Sequence, residues 1–261
     1  MLVFFKTIPG IYFVFHYPES CKKPLKFFWI PTPTIGVKLV NCSKVEYMNK
    51  NLAHYRRVYS KGALLESEIP GEPIELFNDW FHEMEKIKNP IEVNAMTVAT
   101  IDSRGFPKSR VILLKEYSKE GFVFYTNYTS EKGRALEVNP GICLSFFWPE
   151  MERQVIIQGK AEKFSEEKAV EYFKTRPRGS QLGAWASNQS SEIASREVLE
   201  KSLRELEIKY GDNEVPKPEH WGGYLVRPLN FEFWQGRPNR LHDRIFYTKE
   251  EMKWNIKRLA P

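Results

Sequence analysis

Cysteine is scarce in this 261-residue chain, which holds only Cys21, Cys42 and Cys143. Two of the three lie in the first 47 residues, so no disulfide framework can be built in the body, and a reducing, cytoplasmic compartment is expected. Histidine is also sparse, with five scattered residues. There is no H-E-x-x-H, no paired C-x-x-C and no G-x-S-x-G, which leaves a zinc site or a hydrolase triad little to stand on. G-x-G-x-x-G and G-x-x-x-x-G-K are missing too, so a phosphate-bearing ligand would have to be held by side chains and strand-edge amides. Long apolar runs are lacking: Met1 to Phe15 is interrupted by Lys6, Pro9 and Gly10, has no A-x-A-like cleavage site after it and is too short to span a bilayer.

Charge of one sign is less abundant than the total suggests. The formal net charge is +6, but residues 1–47 carry six lysines against Glu19 and Glu46 and supply +4 of it. A general polyanion-binding role loses its main support once that segment is set aside. Residues 16–47 show no sustained period of 2 or 3.6. The expectation is that Met48 is the true start and that 1–47 is upstream read-through or a disordered extension, leaving 48–261 as a single domain.

What is present is a 42% hydrophobic chain long enough to bury a real core. A short helix is expected over Leu52 to Tyr59, ending by Gly62. A stronger one follows Pro73, where Ile74, Phe77, Trp80, Phe81, Met84 and Ile87 recur at spacings of three and four. Short β-rich runs come next, over 95–101, 109–115, 122–128, 142–148 and 154–164, with turn signals at Asp102 to Gly105, Lys119 to Gly121 and Asn139 to Gly141. Ser165 is placed to cap a helix limited by Pro177, and another helix runs from about Arg196 to Tyr210 with Gly211 as its stop. Three further strands are expected over 224–234, 244–248 and 252–259. Closely spaced strands with tight turns indicate antiparallel meanders closing into a barrel or sandwich, rather than βαβ units. The fold class is therefore α+β, one domain on an antiparallel barrel.

The chemistry concentrates near the end of the chain. Phe233 to Arg244 reads FWQGRPNRLHDR and puts Trp234, Arg237, Arg240, His242, Asp243 and Arg244 within twelve residues. Guanidinium forks grip phosphate and also stack on rings, which suits a planar anionic ligand. A solvated basic loop before a last hairpin accounts for the same composition. Arg110 and Lys115 bracket RVILLK with different parity, so they are expected on opposite faces of a strand. Tyr172 and Arg176 share a helix face at a spacing of four, with Ser180 just beyond Pro177. Taken singly, each is equally a surface cation, and Gln189-Ser190-Ser191 is equally a loop.

Taken in order, the chain shows RVILLK (110–115), FYTN (124–127), RQV (153–155), EYFKTRPRGSQLGAW (171–185), NQSS (188–191), WGGY (221–224), EFWQG (232–236), NRLHDR (239–244) and RLAP (258–261). This ordered set resembles the pyridoxine (pyridoxamine) 5'-phosphate oxidase family from about Leu52 to Pro261. The resemblance implies a homodimer with a flavin-binding antiparallel split β-barrel and flanking helices, holding FMN at the subunit interface. By matching position it implies FMN contacts from Arg110, Val111, Ile112, Leu113, Tyr125, Thr126, Lys132, Gln154, Gln189, Ser190, Trp234 and Arg244. It implies a substrate phosphate clamp of Lys115, Tyr172, Arg176 and Ser180, with Arg240, Leu241 and His242 closing over the pyridine ring. Arg56 and Tyr59 match a mobile lid. One departure is Glu131, where the family often has arginine before Lys132; a carboxylate cannot grip phosphate, so Lys132 or a neighbouring chain must compensate.

The implied reaction oxidises C4' of pyridoxine 5'-phosphate or pyridoxamine 5'-phosphate to pyridoxal 5'-phosphate. A hydride passes to flavin N5, and O2 reoxidises the flavin to give hydrogen peroxide. Arg240 is expected to hold the outer ring face and His242 to position or deprotonate a ring substituent, these two being the catalytic candidates. Rival readings are another split-barrel flavin reductase and a non-catalytic carrier of FMN or pyridoxal phosphate. No metal, nucleic-acid or membrane partner is expected.

Overall fold

The computed structural model describes residues 51–88, 92–251 and 253–261, and the backbone of strands within 2–8 and 11–16. It falls into two units, Met1–His54 and Tyr55–Pro261. In the first, β1 (Leu2–Ile8) pairs antiparallel with β2 (Ile11–His16). The remainder of the segment read as an extension, together with the candidate start Met48, lies outside the described residues.

The second unit opens on an extended strap that leads to α1 (Pro73–Glu85), with Pro73 at the helix start, where a missing N–H costs nothing. The expected helix over Leu52 to Tyr59 does not form. Its apolar residues Leu52, Tyr55 and Val58 are all exposed. A short segment with no apolar face packed on a core has nothing to stabilise it as a helix. Downstream, the Ser60 and Lys61 amides are bonded elsewhere, as described below.

Antiparallel strands follow: β3 (Ala95–Ile101), β4 (Pro107–Leu113), β5 (Glu116–Ser118) and β6 (Gly121–Asn127). Then come α2 (Glu131–Val138), β7 (Gly141–Trp148) and β8 (Arg153–Lys163). Helices α3 (Glu166–Thr175), α4 (Arg178–Ala186) and α5 (Arg196–Tyr210) precede β9 (Trp221–Gln235), β10 (Asp243–Glu250) and β11 (Lys253–Leu259). Ser165 caps α3 by accepting from the Lys168 amide, and Gly211, at φ +46°, ends α5 in the left-handed region that favours glycine.

The nine strands form one sheet in the order β11-β10-β9-β8-β7-β3-β4, with β5 on β6 and β6 on β9. β9 organises it. Its first half, Trp221 to Val226, pairs with β6, its second half, Asn230 to Gln235, pairs with β10, and β8 runs along its other side. The register of β8 on β9 shifts at Gln158/Gly159, where Leu229 is the extra residue on β9, a bulge of the kind found in barrels. The fold is an antiparallel split β-barrel with flanking helices; strand spacing indicated the antiparallel meanders, and the resemblance implied the split barrel.

Alternation along the strands sends Met96, Val98, Leu144, Phe146, Val155, Ile157, Phe231, Phe233, Ile245 and Tyr247 into one core. α1 closes it: fully buried Phe77 meets Tyr117, Phe122 and Phe146 edge-on, each at 5.1 Å between centroids. A second, smaller cluster of Phe173, Leu182, Val215 and Trp221 seats α3, α4 and α5 against the start of β9.

Candidate active site

At the start of β9 the sheet and the helices leave a cleft of ≈ 350 Å³, lined among others by Ile112, Tyr125, Thr126, Lys132, Arg176, Ser180, Gln189 and Trp221. Its aromatic wall is a stack: Tyr125 lies 4.2 Å from Tyr172 and 5.3 Å from Trp221, nearly parallel to both. The Arg176 guanidinium sits 4.8 Å over the Trp221 ring, and its Nη1 is buried with no hydrogen-bond partner. Burial lowers the Arg176 pKa from its ordinary value, opposed by Tyr172. A buried, unsatisfied guanidinium nitrogen is costly unless an anion completes it.

Lys132, on the first turn of α2, is 8% exposed. Its ammonium donates to Gln189 Oε1 at 2.8 Å and to Thr126 Oγ1 at 3.0 Å, both neutral acceptors. Burial first, and then the Arg110 charge, bring its pKa down to about 8. Arg110 donates to Thr100 Oγ1 at 2.8 Å, and burial lowers its pKa too. Both cations are thus held by neutral groups and repel one another, an arrangement that an anion would relieve. Glu131 does not intrude: it pairs with Lys108 at 2.6 Å on the surface.

A second group stands at the other end of β9. The register aligns Gln154 of β8, Trp234 of β9 and Arg244 of β10 in one row across the sheet. Trp234 and His242 rings lie 4.7 Å apart, and Tyr59 meets them at 5.7 and 5.8 Å. The Arg237 amide donates to His242 Nδ1 at 3.0 Å, so the neutral imidazole carries its proton on Nε2. Burial and Arg240 lower the His242 pKa against the opposing pull of Asp243. Asn239 and Arg240 both take positive φ, +58° and +65°, an uncommon local strain that holds Arg240 out at the tip of the loop.

The residues named from the sequence therefore fall into two places. Arg110, Ile112, Tyr125, Thr126, Lys132, Tyr172, Arg176, Ser180 and Gln189 gather at the cleft. Tyr59, Gln154, Trp234, Arg240, Leu241, His242 and Arg244 gather at the far end. Trp234 lies thirteen positions along β9 from Trp221, about 40 Å of extended chain. Val111 and Arg56 are exposed, and Ser190, at φ +72°, is exposed beside Gln189. Lys115 is not on the strand expected to carry it: β4 ends at Leu113, and Lys115 lies exposed in the connection to β5, so strand parity with Arg110 does not set its face. Arg244 is committed to Glu232 at 2.8 Å and to the Ala260 carbonyl. Trp221, the ring under Arg176, had no assigned task in the sequence, although its place in WGGY was the available signal.

Comparisons with known proteins agree with this geometry. Residues 82–210 match the family model described as pyridoxamine 5'-phosphate oxidase, and residues 221–261 match the pyridoxine 5'-phosphate oxidase C-terminal dimerisation region. The chain is 59% identical over 211 residues to a pyridoxine/pyridoxamine 5'-phosphate oxidase of Flavobacterium johnsoniae, covering 80% of this chain and 99% of that protein. It is 48% identical over 215 residues to one from Pseudomonas putida, covering 82% and 100%. Among solved structures, PhzG from Burkholderia lata, in complex with tetrahydrophenazine-1-carboxylic acid, superposes with a TM-score of 0.70 at 30% identity, covering 76% of this chain and 98% of PhzG.

Proposed function

The chain belongs to the pyridoxamine 5'-phosphate oxidase family, and from that premise we propose that it oxidises pyridoxine 5'-phosphate and pyridoxamine 5'-phosphate to pyridoxal 5'-phosphate with FMN and O2. One observation carries the reading: the cleft at the start of β9 sets the unsatisfied Arg176 guanidinium beside a stack of aromatic rings. That combination takes a phosphate on a planar heterocycle. Arg176, Tyr172 and Ser180 clamp the substrate phosphate, and Lys115 joins them from the connection between β4 and β5.

The residues around Lys132 fit FMN. A buried ammonium held only by neutral oxygens, with Arg110 raising the local positive potential, suits the cofactor phosphate. Lys132, Arg110, Thr126, Gln189 and Ser190 would hold that phosphate, and Val111, Ile112, Leu113 and Tyr125 would line the ring. When bound, FMN supplies the electron-pair acceptor for the substrate carbon and passes the pair to O2, which leaves as hydrogen peroxide.

The far end of β9 supplies the other half from a second copy. The chain's match to a dimerisation region over 221–261 supports a homodimer, in which Gln154, Trp234 and Arg244 of one protomer complete the cofactor site of its partner. Arg240 and Leu241 then cover the outer face of the substrate ring. His242, with Nδ1 occupied by the Arg237 amide, donates from Nε2 to a polar ring substituent and holds it, rather than removing a proton. Tyr59 and Arg56 close the site from the strap and exclude water. No helix among the described residues is long and apolar enough to cross a membrane, and we place the enzyme in the cytoplasm on its low cysteine count.

The purified protein should be yellow and should release peroxide on pyridoxamine 5'-phosphate. A protein that never takes up FMN, or that turns over neither phosphorylated vitamer, overturns the proposal.

A further inference from the structure

Glu152 is a carboxylate that the reaction above does not use, yet it is only 2% exposed. It sits between β7 and β8 at φ +55°, a left-handed backbone that a non-glycine residue seldom adopts. Its Oε2 accepts two consecutive amides of the strap, Ser60 at 2.7 Å and Lys61 at 3.0 Å, and Arg57 Nη2 lies 3.8 Å from Oε1. The strap is fitted closely there. A side chain at Gly236 would meet Tyr59 Cβ at 2.9 Å and Glu152 Cβ at 3.0 Å, and one at Gly62 would meet Gln235 Oε1 at 2.9 Å.

Further along, Asp243 takes over. Its Oδ2 accepts the Leu64 amide at 3.1 Å, while Arg237 donates to the Gly62 carbonyl at 3.1 Å and Arg258 to the Leu64 carbonyl at 2.8 Å. Tyr59 lies just before the Glu152 contact, edge-on to Trp234 and His242. The Tyr59 ring meets the barrel through these two aromatic contacts, so its place depends on the backbone next to it. Charge-assisted bonds to backbone amides are the strong kind, and this carboxylate makes two in a site shielded from water.

We propose that Glu152 is a positioning residue for the oxidase: it latches the strap at Ser60 and Lys61, and through that latch sets Tyr59 against the Trp234 and His242 edge. The inference rests on the reading above that this edge meets substrate. The latch has a readout that needs no substrate at all.

In the FMN-loaded, full-length protein, Glu152→Ala should speed tryptic cleavage after Lys61 by about tenfold or more, since opening is no longer opposed by two charge-assisted bonds. The same variant should raise KM for pyridoxamine 5'-phosphate by about tenfold while kcat stays within about threefold, the pattern of lost ground-state positioning. Glu152→Gln, which keeps an oxygen acceptor, should recover most of both. Should Glu152→Ala fail to fold, Ser60→Pro removes one donor from the exposed strap without touching the core and should reproduce the cleavage and KM effects. Unchanged cleavage and KM in a folded variant would overturn the proposal, as would loss of bound FMN with kcat and KM both altered and no rescue by Gln. Faster cleavage after Lys61 in a protein that turns over neither vitamer would leave the latch standing and sink the oxidase reading instead.

Discussion

The two ends of β9 treat their cations in opposite ways. At the Trp234 end, every arginine that faces the sheet has a carboxylate: Arg244 has Glu232, Arg258 has Glu66 and Asp243, and Arg237 lies 3.6 Å from Asp243. At the Trp221 end, Arg110, Lys132 and Arg176 form no ion pair among the described residues, although all three are at least partly buried. Paired guanidinium groups at moderate exposure contribute little to stability and mainly fix geometry. Buried cations without a counter-charge cost stability, and the fold tolerates them where a ligand will supply the charge. The contrast separates an architectural end from a binding end along one strand.

The largest test of this contrast is Arg176→Ala. It should raise KM for the phosphorylated substrate by about 10- to 100-fold, the equivalent of about 1.5–3 kcal/mol for a charge-assisted contact, while leaving Tm of the ligand-free protein within a few degrees. A large loss of Tm would make Arg176 architectural and break the distinction.

A smaller effect concerns pH. Lys132 has a folded-state pKa of about 8, below its ordinary value. The unfolded chain therefore binds more protons between about 8 and 10.5, so in the ligand-free protein the cost of burying this charge is full below pH 8 and is relieved as pH rises through that window. An anion bound at Lys132 reverses the preference, because it favours the charged form. FMN affinity measured by fluorescence titration should hold below pH 8 and weaken above it by at most about tenfold per pH unit. Lys132→Met should flatten that dependence and lower FMN affinity throughout. A wild-type profile that stays flat to pH 10 would mean that the phosphate is gripped elsewhere.

The smallest effect is expected at the architectural end. Arg258→Ala removes a half-exposed pair with Glu66 and should lower Tm by no more than a few degrees, with FMN affinity unchanged. Loss of FMN affinity there would blur the comparison.

Much of this was legible in the sequence. The stripe after Pro73, the Ser165 cap and the Gly211 stop each rest on local geometry that tertiary packing did not override. α2 and α4 were missed because Gly133, Gly179 and Gly183 dilute their periodicity, and their ends are set by Ser130 and by Pro177 rather than by an apolar stripe. Leu52 to Tyr59 failed in the other direction, an expected helix whose apolar residues stay exposed. The nine ordered motifs name the candidate residues, but not their division between two places. Spacing in sequence cannot tell that Trp221 and Trp234 stand at opposite ends of one strand, nor that Arg237 and Asp243, which had no assigned task, fasten the strap.

That length of β9 has a genetic consequence. In the proposed dimer each site draws its clamp from one protomer and its covering loop from the other, so two different inactive chains can repair one another. Co-expressing Arg176→Ala with a chain altered at Arg240 and His242 gives mixed dimers with one site carrying every lesion and one site carrying none. Random pairing makes half the dimers mixed, and at substrate concentrations below the unaltered KM activity should return to about a quarter of that of the unaltered enzyme, well above that of either chain alone.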